Sequence, residues 1–531
     1  MTAIASQHEQ ELIQDSARVA LIRGNYQEAY GILTKAVNQY PECAGFYFLL
    51  SRIAYDFKSY IKEVEMLTKA NQLEPDNPVF TVYLARAHIL AGNSVESVNL
   101  LSHAELMSNH TAESFDVMGG TYNRLCMYQQ AADAFEKSIA LDQRNHGVFF
   151  NLASSLKFCG DFTGARAAYE RAIALKPDYF KAHAALTSLG GITQESNHVD
   201  RLRELLDVAS SSDDLLAVAH ALSKELEALK QYDDSIAVLA KAKRQKSSQL
   251  GYQFERDAKI FSQLQQYYAD ESVSDRTGFD NERAIFVVGM PRTGTTLVER
   301  ILTNHHQVAS GGELHNFSIA LKRQIKSTSR EFIDSAFVDI FPAIDLSKLG
   351  EDYINTTDYL TGDKKFLVDK LPLNILYAGL IAQALTKAKI VCLDRNPLDT
   401  IASNYRQLFS FQDSTFGYSL DLENAARYYV EFRRLVNLLQ EKYASNFHLV
   451  NYEVLATNPD VEIRKLLQFC ELDWDEACLH VEKNDKPVAT ASAVQVRKPI
   501  STSSIGQWRH YSAYLEPVKT ILAQAGIAIS E

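Results

Sequence analysis

Apolar positions recur along the first 180 residues with a single long period. Gly24, Lys58, Gly92, Cys126 and Gly160 are spaced 34 residues apart. Tyr26, Tyr60, Ser94, Tyr128 and Phe162 follow two places on, and Leu33, Leu67, Leu101, Phe135 and Tyr169 hold the next bulky position. One helical turn later come the small residues Ala36, Ala70, Ala104, Ser138 and Ala172, and Pro41, Pro75 and Pro177 end three of the units. A bulky residue with a small one a turn away, repeated in phase, predicts paired helices that touch closely and stack on their neighbours. After Pro177 the phase slips through 186–215, where Gly190, Gly191 and a serine- and aspartate-rich stretch predict a loop or irregular helix pair. It recovers at Leu229–Ser235, with Ala242 in the small position. A helix from Phe254 to Tyr268 and a polar stretch complete a linker over 251–283.

From 284 the pattern changes. Ala284–Val288 is a continuous, mostly β-branched apolar run, predicting a strand buried on both faces, and Ile390–Leu393 and Phe447–Val450 read the same way. Helical segments separate them, as in a parallel α/β sheet. Beyond the first strand Gly289 and Gly294 bracket a loop, and helical spacing resumes at Thr295 with Leu297, Ile301 and Leu302 on one side. Trp474 and Trp508 read as core.

The 34-residue period resembles the tetratricopeptide repeat, with about six repeats over 1–250 and the last one capping the array. Such a stack has a concave groove, which either packs against the second domain, forms a dimer or holds a peptide or protein partner.

Composition narrows the setting. A net charge of −12 and a pI near 5.7 argue against nucleic acid or a membrane surface as the partner, so an anionic ligand would need a local basic cluster. Six cysteines without paired spacing suggest neither zinc nor a disulfide framework and fit a reducing, cytoplasmic setting. The start lacks the apolar core of a signal peptide, and no membrane span is expected. His305, His306 and His315 could suggest a metal, but no carboxylate or cysteine completes a ligand spacing in the sequence.

Strand, glycine-bracketed loop and helix N-terminus form a phosphate cradle, because the unpaired N–H groups and the positive dipole end face the ligand. The loop is close to a nucleotide-hydrolase pattern, but Thr295 occupies the lysine slot and the nearby fixed cation is Arg292. This disfavours a P-loop kinase or NTPase, one alternative function; a repeat scaffold without catalysis is another. Arg395 follows the second strand at the edge where α/β sheets bind ligands. Asn396 and Pro397 open a helix through Tyr405 that carries Ser403. Taken alone, Arg395 reads more readily as an arginine paired with Asp394 or Asp399 than as a phosphate clamp.

Gly289-Met-Pro-Arg-Thr-Gly-Thr-Thr296 resembles the 5′-phosphosulfate loop of sulfotransferases, and Leu393-Asp-Arg-Asn-Pro-Leu-Asp-Thr-Ile-Ala-Ser403 resembles their 3′-phosphate motif. The resemblance is nearest to the tyrosylprotein branch, in proteins that fuse tetratricopeptide repeats to a sulfotransferase domain. It implies a repeat array over 1–250, a helical linker over 251–283 and an α/β P-loop-like sulfotransferase domain with a central parallel sheet over 284–531. It implies 3′-phosphoadenosine 5′-phosphosulfate (PAPS) as donor, with no metal. Arg292, Thr293, Gly294, Thr295 and Thr296 would hold the 5′-phosphate and sulfonate, and Arg395 and Ser403 the 3′-phosphate. Glu313, 21 residues after Arg292, matches the catalytic base. Lys370 matches the lysine that stabilises the leaving group, and Ser492 a serine on the transferring sulfonate. Arg497 and Lys498 fall in the C-terminal 3′-phosphate loop, which runs through Gly506 and Trp508. The sequence departs from the family at His315 and Gln407, where the family carries arginines; Arg406 is adjacent to the second. The acceptor hydroxyl stays open between a protein tyrosine, a sugar, a lipid and a small phenol.

Overall fold

The computed structural model describes residues 2–270, 277–327, 329, 331–484, 486–488, 490 and 494–529. Two compact units are present, Met1–Leu156 and Lys157–Glu531.

The first unit is a run of antiparallel helix pairs, such as Ala44–Asp56 with Tyr60–Leu73 and Ala112–Arg124 with Tyr128–Leu141. Each periodic feature of the sequence has a structural reason. Gly24, Lys58, Gly92 and Cys126 all occupy the left-handed region, with φ between 57° and 78°, where the chain reverses between the helices of a pair. That conformation explains the recurring glycine. Leu33, Leu67, Leu101 and Phe135 are wholly buried, and the small residues Ala36, Ala70, Ala104 and Ser138 lie buried one turn on, letting helices approach. Asn25 and Asn93 cap the second helices of their pairs through the Glu28 and Glu96 N–H groups.

The second unit is built on a five-stranded parallel sheet: β1 (Ala284–Gly289), β2 (Val308–Gly312), β3 (Phe366–Asp369), β4 (Lys389–Asp394) and β5 (Phe447–Asn451), in the order β2-β3-β1-β4-β5. β1 is central and its side chains alternate between two cores. Phe286 and Val288 join one core, whereas Ile285 and Val287 pack with Val298, Ile301 and Leu302 of the helix Thr295–Asn304 in the other. The first core also takes in Leu216, Ala219, Ile236, Leu239, Ala242, Phe261 and Leu264. The helices Ser212–Ala228, Tyr232–Leu250 and Phe254–Ala269, read from sequence as the end of an array and a linker, thus share a core with the sheet. Trp508 is buried, but Trp474 lies at the surface with the Arg464 guanidinium 3.6 Å from its ring centroid. No helix among the described residues is long and apolar enough to cross a membrane.

Candidate active site

Each strand delivers a residue at its carboxyl end to one edge of the sheet. β1 leads into the glycine loop, β2 into Glu313, β3 into Lys370, β4 into Arg395 and β5 into Tyr452. β1, where chain progression reverses direction across the sheet, is the switch point at which such sheets bind ligands.

The loop is held from within and beneath. Thr293 Oγ1 donates to the Met290 carbonyl at 2.7 Å. Arg292 has φ 68° and Gly294 φ 107°, both in the left-handed region. A Cβ on Gly294 would come within 2.6 Å of the Tyr452 ring. Gly294→Ala should therefore cost about 1–3 kcal/mol of stability and weaken anion binding, which thermal melts and a phosphate-ligand titration would measure together. Thr295 and Thr296 start the helix, and Thr296 Oγ1 lies 3.2 Å from Thr490 Oγ1.

Beneath the loop, Arg395 is buried against three elements. Its Nη1 donates to the Arg292 carbonyl at 2.8 Å, its Nη2 to the Ser504 carbonyl, and its guanidinium lies 4.8 Å from the Tyr452 ring centroid. Its Nε is buried without a partner among the described residues. Of the carboxylates weighed from sequence, Asp394 pairs with Arg433 at 2.8 Å. Asp399 sits 3.9 Å from Arg395 while accepting the Gly506 and Trp508 N–H groups at 2.7 and 2.9 Å. It thereby ties the C-terminal segment to the site. Ser403 lines the same cleft.

On the other side of β1, Lys370 is wholly buried, its N–H bonded to the Gly312 carbonyl at 2.8 Å. Its ammonium contacts Glu313 and stands 3.8 Å from buried Glu299, which accepts the Ser310 hydroxyl at 2.9 Å. Burial raises the Glu299 carboxyl, with Lys370 opposing. Glu313 is 39% exposed and lines the cleft, so a carboxylate open to solvent meets an ammonium rooted in the core.

Behind this pair, burial pushes Asp369 up to about 8, although the Tyr353 hydroxyl donates to it at 3.1 Å. The folded carboxyl keeps its proton in a range where the unfolded one, ordinarily near 3.8, has lost it. This contribution is full below the unfolded value and lost as pH rises toward 8. Asp369→Asn should remove that slope, so its melting temperature relative to wild type should climb between pH 5 and 8.

These residues surround a cleft of about 830 Å³. Among the described residues its lining carries six cations (Lys157, Lys224, Arg292, Arg395, Arg406, Lys498) and two carboxylates, Glu227 and Glu313. Burial, and then the nearby Arg395, bring the Arg292 guanidinium down to about 10; its Nη2 donates to Gln495 at 3.3 Å. Crowded cations of this kind favour a bound anion. The sequence-predicted Arg292, Gly294, Thr295, Thr296, Glu313, Arg395, Ser403 and Lys498 all line this space, with Thr293 bracing the loop and Lys370 beneath Glu313. Arg497 does not line it. Its Nη2 donates to the Phe158 and Lys486 carbonyls at 3.0 and 3.4 Å, and its guanidinium fills the space beside Gly160 that a Cβ would need. Ser492 lies outside the described residues. Sequence reasoning missed Lys224, Glu227, Glu299 and Tyr452; only Tyr452, directly after a recognisable strand, carried a signal. It also missed that the fold brings Asp475 within 4.8 Å of His305 and His306. There both His305 ring nitrogens are engaged, by the Asp473 carbonyl and the Gln307 N–H.

Residues 284–476 match the family model described as "Sulfotransferase family", and residues 146–179 that of the tetratricopeptide repeat. An uncharacterised protein of Aquifex aeolicus is 29% identical over 403 residues, 74% of this chain and 52% of that protein. A protein-tyrosine sulfotransferase of Drosophila melanogaster is 24% identical over 249 residues, 42% of this chain and 46% of that protein. Protein-tyrosine sulfotransferase A of Caenorhabditis elegans is 24% identical over 259 residues, 47% of this chain and 65% of that protein. This chain thus covers between 46% and 65% of the length of these relatives. Residues 284–476 accordingly form a sulfotransferase-family domain, preceded by a helical array of tetratricopeptide-repeat type.

Proposed function

We propose that the chain moves a sulfuryl group from PAPS to an acceptor hydroxyl, with Glu313 as the base. The observation that carries this reading is the convergence, at one sheet edge, of a glycine phosphate loop, the Arg395–Ser403 site and the Glu313–Lys370 pair. The donor fits the residues present: the cleft is strongly cationic, Arg395 has a buried N–H to offer, and the loop at Gly294 has no room for a side chain. Arg292 and Thr293–Thr296 would hold the 5′-phosphate and sulfonate, Arg395, Ser403 and Lys498 the 3′-phosphate.

Sulfuryl transfer, like phosphoryl transfer, is an in-line displacement in which positioning and charge neutralisation dominate. Glu313 takes the proton of the acceptor hydroxyl as its oxygen bonds to sulfur. With PAPS bound, which would supply the sulfuryl group and its leaving phosphate, Lys370 and Arg292 would be the cations that neutralise charge on the leaving group. Glu299, 3.8 Å from the Lys370 ammonium, would hold it in place when Glu313 turns to the acceptor. The cleft lining also carries apolar residues, Leu371 and Leu373 after β3 and Leu408 with the stacked pair Phe409–Phe416 (centroids 4.4 Å apart) after β4. That lining suits a phenolic acceptor, in line with the names of the relatives, and a protein tyrosine is the reading we favour. The repeats would recruit a peptide or protein partner.

Calorimetric titration of adenosine 3′,5′-bisphosphate (PAP), with ATP as comparator, tests the donor. Micromolar PAP binding with weak ATP binding is expected, followed by acceptor-dependent release of PAP from PAPS. Tight ATP binding with magnesium-dependent hydrolysis would overturn the reading.

A further inference from the structure

The helix Ser212–Ala228 lies outside the residues that match the sulfotransferase family, yet its last turns line the cleft through Lys224 and Glu227. The helix is anchored in the sheet's own core by Leu216 and Ala219. Its neighbour Tyr232–Leu250 is fixed by Lys243, whose buried ammonium donates to the Ser419 carbonyl at 2.8 Å. Lys224 is therefore held by packing on the α/β domain.

Glu227 is shared. One oxygen accepts from Lys224 Nζ at 3.1 Å and the other pairs with Arg406, whose Nε is buried without a partner among the described residues. One carboxylate thus serves two cations; burial first, and then the nearby Arg406 and Arg292, hold the Lys224 amine well below the ordinary lysine range. One turn before Lys224, His220 is buried with neither ring nitrogen hydrogen-bonded among the described residues and is held neutral by burial and by the same cations. Glu227 is the one carboxylate that Lys224 and Arg406 share on the cleft wall among the described residues.

The sheet order points to the anion these cations would take. Glu313 and Lys370 follow β2 and β3, on one side of β1; Arg395, Ser403 and Arg406 follow β4, on the other. Ser403 and Arg406 are three residues apart, on one face of the helix Pro397–Tyr405 and its cap. Lys224 is joined to Arg406 through Glu227, and so to the side that follows β4. We propose that Lys224, positioned by Glu227, is a ligand of the donor's 3′-phosphate, so that a helix from the repeat-type segment completes the nucleotide site of the sulfotransferase domain. This rests on the donor assigned above.

The test compares PAP with adenosine 5′-monophosphate (AMP), which lacks the 3′-phosphate, by calorimetry on the full chain. Lys224→Met should lower PAP affinity about ten- to hundredfold, the range of one charged hydrogen bond, and leave AMP affinity within twofold of wild type. Lys224→Arg should restore most of the PAP affinity. Unchanged AMP binding shows that the variant is folded. If Lys224→Met keeps the wild-type ratio of PAP to AMP affinity, or changes only the KM of the acceptor, the inference falls while the donor reading stands. Wild type that binds AMP and PAP equally would overturn both.

Discussion

Glu313→Gln should lower the turnover of PAPS-dependent sulfuryl transfer by about two to four orders of magnitude while leaving PAP affinity within about twofold. The amide keeps the shape of the side chain but cannot take the acceptor's proton. Lys370 stays buried beside Glu299, 3.8 Å away, so the substitution leaves no unpaired buried ammonium. That makes glutamine a cleaner probe than Lys370→Met, which strands Glu299 as well as removing the leaving-group cation. Because the two residues act on one transition state, the double variant should be little slower than the worse single one. Single-turnover kinetics with PAP titrations on the same preparations would measure both quantities. Wild-type turnover no higher than that of Glu313→Gln would favour a repeat scaffold without catalysis.

How far the sequence discloses this arrangement depends on the range of the interactions. The repeat register was legible because one local geometry recurs: the left-handed turn at Gly24, Lys58, Gly92 and Cys126, and the bulky–small contact a turn apart. The central strands were legible because strands buried on both faces need unbroken apolar runs. β2 and β3 were not: Val-Ala-Ser-Gly-Gly is too short and glycine-rich to show a period, and Phe-Leu-Val-Asp is only four residues long. Their carboxyl-end residues, Glu313 and Lys370, came from family resemblance, not from pattern. Contacts between distant segments left no trace at all. Nothing near Lys224 announces Arg406, and nothing near Arg497 announces Gly160, where a turn glycine of the repeat also makes room for a guanidinium 337 residues on. The separation into 1–250 and 284–531 follows the repeat period faithfully, but the apolar faces of 212–269 are satisfied by the sheet, a choice made by packing and invisible to periodicity.

Arg395→Ala should abolish measurable PAP binding, a loss of at least about a hundredfold, and also lower stability, because the guanidinium is both ligand and strut. It bonds the carbonyl of Arg292 in the loop and that of Ser504 in the C-terminal segment, and it lies over Tyr452 at the end of β5. Alanine leaves two partly buried carbonyls without this donor, at about 1 kcal/mol each. Arg292, whose left-handed backbone is braced at its carbonyl, would then relax and take the loop with it. Arg395→Lys separates the two roles. A lysine supplies charge but not a planar fork, so it can meet the phosphate or one carbonyl, not both carbonyls and a phosphate. It should therefore recover part of the PAP affinity while keeping most of the stability defect. Calorimetry for PAP and thermal melts without ligand resolve the pair. An alanine variant that loses PAP affinity with an unchanged melting temperature would show that the carbonyl contacts brace nothing. One that melts early but binds PAP as wild type would remove Arg395 from the nucleotide site and leave the 3′-phosphate to Ser403, Lys498 and Lys224.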